Sequence, residues 1–211
     1  MATSQNAFIG RTRGRVGGVV FSQWKDKNII KQKPESVANP RSAQQQANRA
    51  RFTALIALAK LLRPIIMLGF KEYSTTVTWM NRFMSTNSYS GALTFNTATN
   101  NWDTEYSKLV ISEGSLYPTV ISAVSTTADV TVSWDSGTTA NQNGNDKLMV
   151  IAQNNNANVT TTSVFSVDRS AGTAVLPLSS ATGDTISVVA FFITADKRIA
   201  SNSIGLTTTT P

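Results

Sequence analysis

The side chains best equipped for chemistry in this chain are cations crowded toward its start. Arg11, Arg13, Arg15, Lys25, Lys27, Lys31, Lys33, Arg41, Arg49 and Arg51 fall within the first 51 of 211 residues, opposed there only by Asp26 and Glu35. Guanidinium and ammonium groups at that density bind phosphates or carboxylates. The asymmetry extends further: residues 1–82 hold fourteen Lys and Arg against three acids, a balance of +11, while residues 83–211 hold five against nine, a balance of −4. A dipolar chain of this kind sets a basic first half against an acidic protein surface, nucleic acid or acidic lipid. The competing reading is a merely solvated basic surface. Trp24 adds an aromatic plane that could stack on a base, or simply anchor a hairpin.

Composition closes several routes to catalysis. With no cysteine and no histidine, disulfides, thiolate or imidazole metal sites, cysteine nucleophiles and serine-histidine triads are all ruled out. Carboxylate chemistry or a Ser-Lys pair would survive. The pairs Asp103 with Glu105 and Asp129 with Asp135 are close in sequence, but acid-base work needs an enclosing pocket, and these read as solvated acids in loops or at strand ends. "DSGTTANQNGND" offers the hard oxygens of Asp135, Asn141, Asn143, Asn145 and Asp146; its spacing is not that of an EF-hand, and an ordinary polar loop is favoured over a calcium site. Gly14, Gly17 and Gly18 lack the Gly-Lys-Ser/Thr ending of a phosphate loop. No catalytic residue, cofactor or metal is therefore expected, and the partner-binding candidates are Arg11, Arg13, Arg15, Trp24, Lys31, Lys33, Arg41, Arg49 and Arg51.

The elements that must position those residues follow from periodicity. "RVGGVVFSQW" and "NIIKQK", separated by "KDKN", predict a hairpin. Asn39-Pro40, or Ser42 with Gln45 as a capping box, starts a helix. Its alanine-rich face, Ala43, Ala47, Ala50 and Ala54, continues into Leu58, Leu61 and Ile65, and permits close packing against another backbone. Arg63-Pro64 kinks it, Gly69 is a candidate C-cap, and a second helix is expected within "YSTTVTWMNRFMS". The Asn-, Thr- and Ser-rich residues 85–104 read as a linker. From residue 105 short β-branched runs appear, "YSKLVI", "TVISAV", "DVTVSW", "KLMVIAQ", "TSVFSV", "TAVLPL", "ISVVAFFIT" and "RIASNSIGL". They predict an immunoglobulin- or fibronectin-III-like β-sandwich with "ISVVAFFIT" as a central strand. The fold class is α+β, with a basic docking module over 1–84, a linker over 85–104 and a sandwich over 105–211. No stretch approaches the length of a membrane span or a signal peptide, which sets synthesis in a bacterial cytoplasm as the expectation.

"GGVVFSQWKDKNIIKQKPESVANPRSAQQQANRARF" resembles the N-terminal signature of an uncharacterised Bacteroidota family, a domain of unknown function. "DTEYSKLVISEGSL", "DKLMVIAQNN" and "LPLSSATGDTISVVAFFITADKRIASNSIGL" resemble its C-terminal sandwich. That resemblance implies a host group and an architecture, and no activity. The basic hairpin with its "NPRS" helix start also resembles segments of bacteriophage structural proteins. The second resemblance, together with a cysteine-free, Thr-, Asn- and Ser-rich chain ending in an immunoglobulin-like domain, points to a non-enzymatic virion component, head- or tail-associated, that docks on other assembly proteins; a homo-oligomer is expected. The alternatives are a sequence-nonspecific nucleic-acid-binding protein and a bacterial surface or adhesion protein.

Overall fold

The computed structural model describes residues 2–4, 13–24, 27–36, 41–96 and 101–211. The chain divides into two compact units, Met1–Gln45 and Gln46–Pro211. This boundary differs from the expected modules, and the packing of the larger unit supplies the reason.

The first unit is a four-stranded antiparallel sheet of β1 (Ala2–Ser4), β2 (Gly14–Val16), β3 (Val19–Trp24) and β4 (Lys27–Gln32), in the order β1-β4-β3-β2. The hairpin expected from "VVFSQW" and "NIIKQK" is its centre. Asn39-Pro40 lies outside the described residues. Ser42 stands just before α1 (Ala43–Leu61) and its Oγ accepts the Gln45 N–H at 3.4 Å.

In the second unit α1 gives way to α2 (Arg63–Gly69) through a bend of 89°. Pro64 sits in the first turn of α2, where its missing N–H costs nothing. α3 (Trp79–Asn87) is capped by Thr78, whose Oγ1 accepts the Asn81 N–H at 3.2 Å. Among the described residues no single helix is long and apolar enough to cross a membrane. The buried face of α1 is Leu55, Leu58 and Ala59. Of the expected alanine-rich face, Ala43, Ala50 and Leu61 stay exposed and Ala47 and Ala54 are half-buried, while Leu58 and Ile65 join the core, because larger aliphatic side chains bury more area per position.

Residues 85–104, expected to be a linker, hold the end of α3 and the hairpin β5 (Leu93–Asn96) with β6 (Asn101–Thr104). Ala92 and Leu93 are core residues, and so is the polar Asn87. "YSKLVI" is not a strand: Tyr106–Lys108 is a 3₁₀ turn, followed by an extended stretch without a ladder. Its backbone is satisfied from elsewhere. The Asn87 amide donates to Val110 O at 2.7 Å and accepts from Val110 N at 2.9 Å, Ile111 N donates to Ser203 Oγ at 3.1 Å, and Glu113 N donates to Gly69 O at 3.2 Å.

Seven strands follow: β7 (Ile121–Ser125), β8 (Asp129–Trp134), β9 (Lys147–Asn154), β10 (Val159–Asp168), β11 (Thr173–Pro177), β12 (Thr185–Ile193) and β13 (Ile204–Thr209). They make one sheet ordered β11-β8-β7 and another ordered β10-β9-β12-β13. "RIASNSIGL" contributes its strand only from Ile204 onward. Alternation decides the layering. β8 alternates half-buried and buried residues, so one side of its sheet faces solvent, whereas β9 and β12 are buried almost without interruption. Leu148, Val150, Ile186, Val188 and Phe192 join Val130, Val132 and Trp134 in one core. Met149, Ile151, Val189, Phe191 and Ile193 point the other way and join Leu55, Leu62, Ile66, Phe70 and Phe83 in a second. The helices are therefore the third layer of the C-terminal fold and not part of a separate N-terminal module. A mixed α+β class holds for the chain.

Asp184 pins the start of β12, accepting the Ala181 N–H and the Asn154 amide, each at 2.8 Å. The backbone hydrogen bond first, and the amide second, hold its carboxyl below the ordinary 3.8. A depressed carboxylate pKa contributes stability that is present above the unfolded-state value and is lost as pH falls through the folded-state value. Asp184→Asn is accordingly expected to shallow the loss of stability below about pH 4, measured by urea unfolding across a pH series; an acid limb identical to wild type would remove that role from Asp184.

Candidate functional site

The residues singled out by charge converge in part on the N-terminal sheet. Its strands place side chains by strict alternation. Phe21 pairs with Ile30 across β3 and β4, and Val16 with Val19 across β2 and β3, so these four share one face. The row Arg15–Val20–Lys31 crosses three strands on the opposite face. One side of the sheet thus carries Val16, Val19, Phe21 and Ile30 beside Asn28 and Gln32, and the other carries Arg15 and Lys31 beside Val20 and Ile29. None of residues 13–23 and 28–36 is buried, and Val16 is 71% exposed.

The turn joining β2 to β3 explains its glycines. Gly17 has φ +56°, a left-handed conformation suited to a two-residue hairpin turn. Arg15 Nε donates to Gly17 O at 2.9 Å, and Lys33 N donates to Gly18 O at 2.7 Å, clamping the turn between its neighbours. No helix follows this loop, so it is a hairpin turn and not a phosphate cradle.

Arg13, Arg15, Lys31 and Lys33 are all exposed on or beside this sheet. Trp24 ends β3 opposite Lys27 in the register, and its side chain, like the whole of Arg11, lies outside the described residues. Arg41 and Arg49 are exposed near and on α1. Arg51 behaves differently. It is half-buried in the second unit, with its guanidinium carbon 5.9 Å from the Tyr89 ring centroid and 5.7 Å from that of Trp102. Such cation–π contacts hold a side chain against the fold, so Arg51 is placed as a packing residue beside exposed Phe52 and Tyr89.

In the polar loop weighed against a calcium site, Asp146 and Asn141 are engaged by protein partners. Asp146 is 1% exposed and receives the Asn143 N–H at 2.8 Å and Arg169 Nε at 3.2 Å; Asn141 Oδ1 receives the Tyr117 N–H at 2.9 Å. Among the described residues no three acidic, histidine or cysteine side chains group as metal ligands. Asp103 and Glu105, read as solvated acids, line an open cleft in the second unit, where Asp103 is exposed and Glu105 half-buried. Sequence inspection missed it because the opposite wall, Gln153 to Asn158, is remote in the chain.

A single family profile spans residues 11–207, crossing both units. The chain belongs to a family of unknown function (DUF6266). The match begins within the basic arm and takes in β2, β3 and β4 of the exposed sheet, while β1 precedes it. The expectation of an uncharacterised family is met at that level. No curated protein matches the chain.

Proposed function

We propose that this DUF6266 protein is a non-enzymatic assembly component, a bacteriophage virion accessory docked through its N-terminal sheet and carrying the larger unit as a displayed domain. The observation that carries the reading is the sheet itself, four strands among whose described side chains none is buried. Among its described residues this unit has no buried core from which to draw stability. Its Phe21–Ile30 face needs a cover, and its charge names the kind. Residues 1–45 hold eight Lys and Arg against two acids, which fits a partner protein with an apolar patch rimmed by carboxylates. The particle assignment is supported by the resemblance of the basic hairpin and "NPRS" helix start to phage structural segments. The displayed domain reads as a fibronectin-III-like sandwich, because the first, second and fifth of its seven strands lie in one sheet and the rest in the other. The absence of His and Cys argues against an enzyme.

The test compares full-length wild type with two variants, Phe21→Ser/Ile30→Ser and Arg15→Glu/Lys31→Glu/Lys33→Glu, by quantitative mass spectrometry of purified particles. Both variants are expected to fall at least about tenfold in incorporation, the scale of about 1.4 kcal/mol of lost docking energy, while the melting of the larger unit stays unchanged. Equal incorporation of all three proteins, or exclusion of the wild type from particles, would overturn the reading. The cationic row Arg15–Lys31 also suits DNA. If incorporation is insensitive to charge reversal while affinity for mixed-sequence DNA drops roughly a thousandfold between about 50 and 200 mM salt, nucleic acid is the partner instead.

A further inference from the structure

A cleft of about 560 Å³ opens in the 46–211 unit between β6 with Glu105 on one side and the β9–β10 turn on the other. Its volume is that of a small-ligand site. No Lys or Arg lines it, so it offers no charge to a phosphate or carboxylate ligand. What it does offer emerges from hydrogen-bond accounting. Asp103 Oδ2 is occupied by the Asn96 amide at 2.8 Å and Glu105 Oε2 by Lys108 Nζ at 2.9 Å, which leaves one acceptor oxygen on each carboxylate. Asn155 donates to Ser187 Oγ at 2.9 Å and keeps its carbonyl as a third acceptor. Asn101 and Asn158 are the reverse. Their carbonyl oxygens are taken by Trp102 N at 2.8 Å and Gln153 Nε2 at 2.9 Å, which leaves two amide NH₂ groups as donors.

From this interleaving of open acceptors and donors we infer that the cleft binds a neutral saccharide. A sugar hydroxyl is donor and acceptor at once, so neighbouring hydroxyls can give their protons to Asp103 and Glu105 while accepting from Asn101 and Asn158. Trp102 supplies the apolar component. Its indole N–H already donates to Ala47 O at 3.2 Å, and Arg51 and Phe95 stand against its ring, so the part of the indole that lines the cleft offers a ligand carbon surface suited to the C–H face of a pyranose. The floor is held in place before any ligand arrives: Gln153 is 2% exposed and bonds to Asn154 O at 3.3 Å as well as to Asn158 and Thr160. Preorganised polar groups lose less entropy on binding. A cation is the poorer fit, because the cleft has two carboxylates and no third acidic or imidazole ligand among the described residues. The inference stands independently of particle docking, since no residue of the cleft belongs to the N-terminal sheet.

The experiment uses the full-length protein on an array of neutral, sulfated and sialylated glycans, then titration calorimetry with the strongest neutral oligosaccharide in the presence of EDTA. Binding is expected to favour neutral glycans, to survive EDTA, and to weaken at least about tenfold in Asp103→Ala and in Asn158→Gly, a loss on the scale of about one or two hydrogen bonds. Both positions are exposed, and Asn158 has φ +54°, which glycine adopts without strain, so each variant keeps its fold. Asp129→Ala, on β8 outside the cleft, serves as the unaffected control. The inference is overturned if no neutral glycan binds, if anionic glycans are preferred, if EDTA abolishes binding, or if the two cleft variants bind as tightly as wild type.

Discussion

Gly205→Ala is expected to destabilise the larger unit severely. Gly205 lies on β13 opposite Val189 of the central strand β12, and a Cβ there would sit 1.8 Å from the backbone oxygen of Ser107 and 2.7 Å from its carbonyl carbon. No flexible side chain can swing away to relieve that overlap; either the 3₁₀ turn Tyr106–Lys108 or the strand must move. Gly69→Ala attacks the same segment from the helical side, meeting Ile111 O at 2.2 Å and Ser112 Cβ at 2.9 Å. Overpacking of this kind costs about 1–3 kcal/mol when the surroundings yield and more when they are backbone, so each substitution should remove about 3 kcal/mol or more, with Gly205 the worse. Gly18→Ala, which meets nothing within 4 Å and has no left-handed φ, is the matched control. Urea unfolding of the three variants decides the matter. A Gly205→Ala protein within about 0.5 kcal/mol of wild type, the range of ordinary surface changes, would show that the 106–112 segment is not pinned between α2 and β13.

Removing the partner of a buried cation is expected to be nearly as damaging. Arg169 is fully buried, its Nε donates to Asp146 Oδ2 at 3.2 Å, its Nη1 donates to Thr119, and its guanidinium carbon lies 4.0 Å from the Phe192 ring centroid. The neighbouring backbone is bound in as well, with Trp134 Nε1 donating to Arg169 O and Arg169 N donating to Asp146 O, each at 2.7 Å. Burial pushes the Arg169 pKa down, while the charge of Asp146 and its hydrogen bond push it back up. Guanidinium stays protonated under such a contest, so Asp146→Ala strands a full charge in the protein core. The expected loss is about 3–5 kcal/mol. The double variant Asp146→Leu/Arg169→Met, which replaces both charges by apolar side chains, should recover most of it. A double-mutant cycle by chemical denaturation measures the coupling. Additive effects, with the double variant no better than the single one, would mean that packing rather than charge pairing accounts for the loss.

The hairpin around Gly17, the kink at Pro64, α3 and the C-terminal strands were legible in the sequence because each depends on neighbours along the chain. Turn chemistry, proline's missing donor and strand alternation act within a few residues. "ISVVAFFIT" carried a further message: unbroken hydrophobicity demands cover on both sides, and β12 has it. The identity of the second cover was not readable. That the helices supply it follows from Leu62, Ile66 and Phe70 meeting Met149 and Phe191 across long chain separations, and periodicity records only that a face is apolar, never which other face it meets. Hence the division of the chain at residue 45 instead of 84.

"YSKLVI" illustrates the same limit from the polar side. Its β-branched composition predicts a strand, yet its N–H and C=O groups are taken by Asn87, Ser203 and Gly69, partners that local propensity cannot register. The charge asymmetry and the absence of His and Cys were determined by the sequence alone, and with them the class of chemistry open to the protein. Which cations stay available was decided by the tertiary structure: Lys31 stands on an open sheet, while Arg51 is laid over Tyr89 and Trp102 and Arg169 is sealed in the core. The cleft is likewise tertiary in origin. Asp103 and Glu105 are two residues apart and visible as a pair, but a carboxylate becomes part of a site only when a second wall faces it, and Gln153 to Asn158 are brought there by the pairing of β9 with β10 and β12.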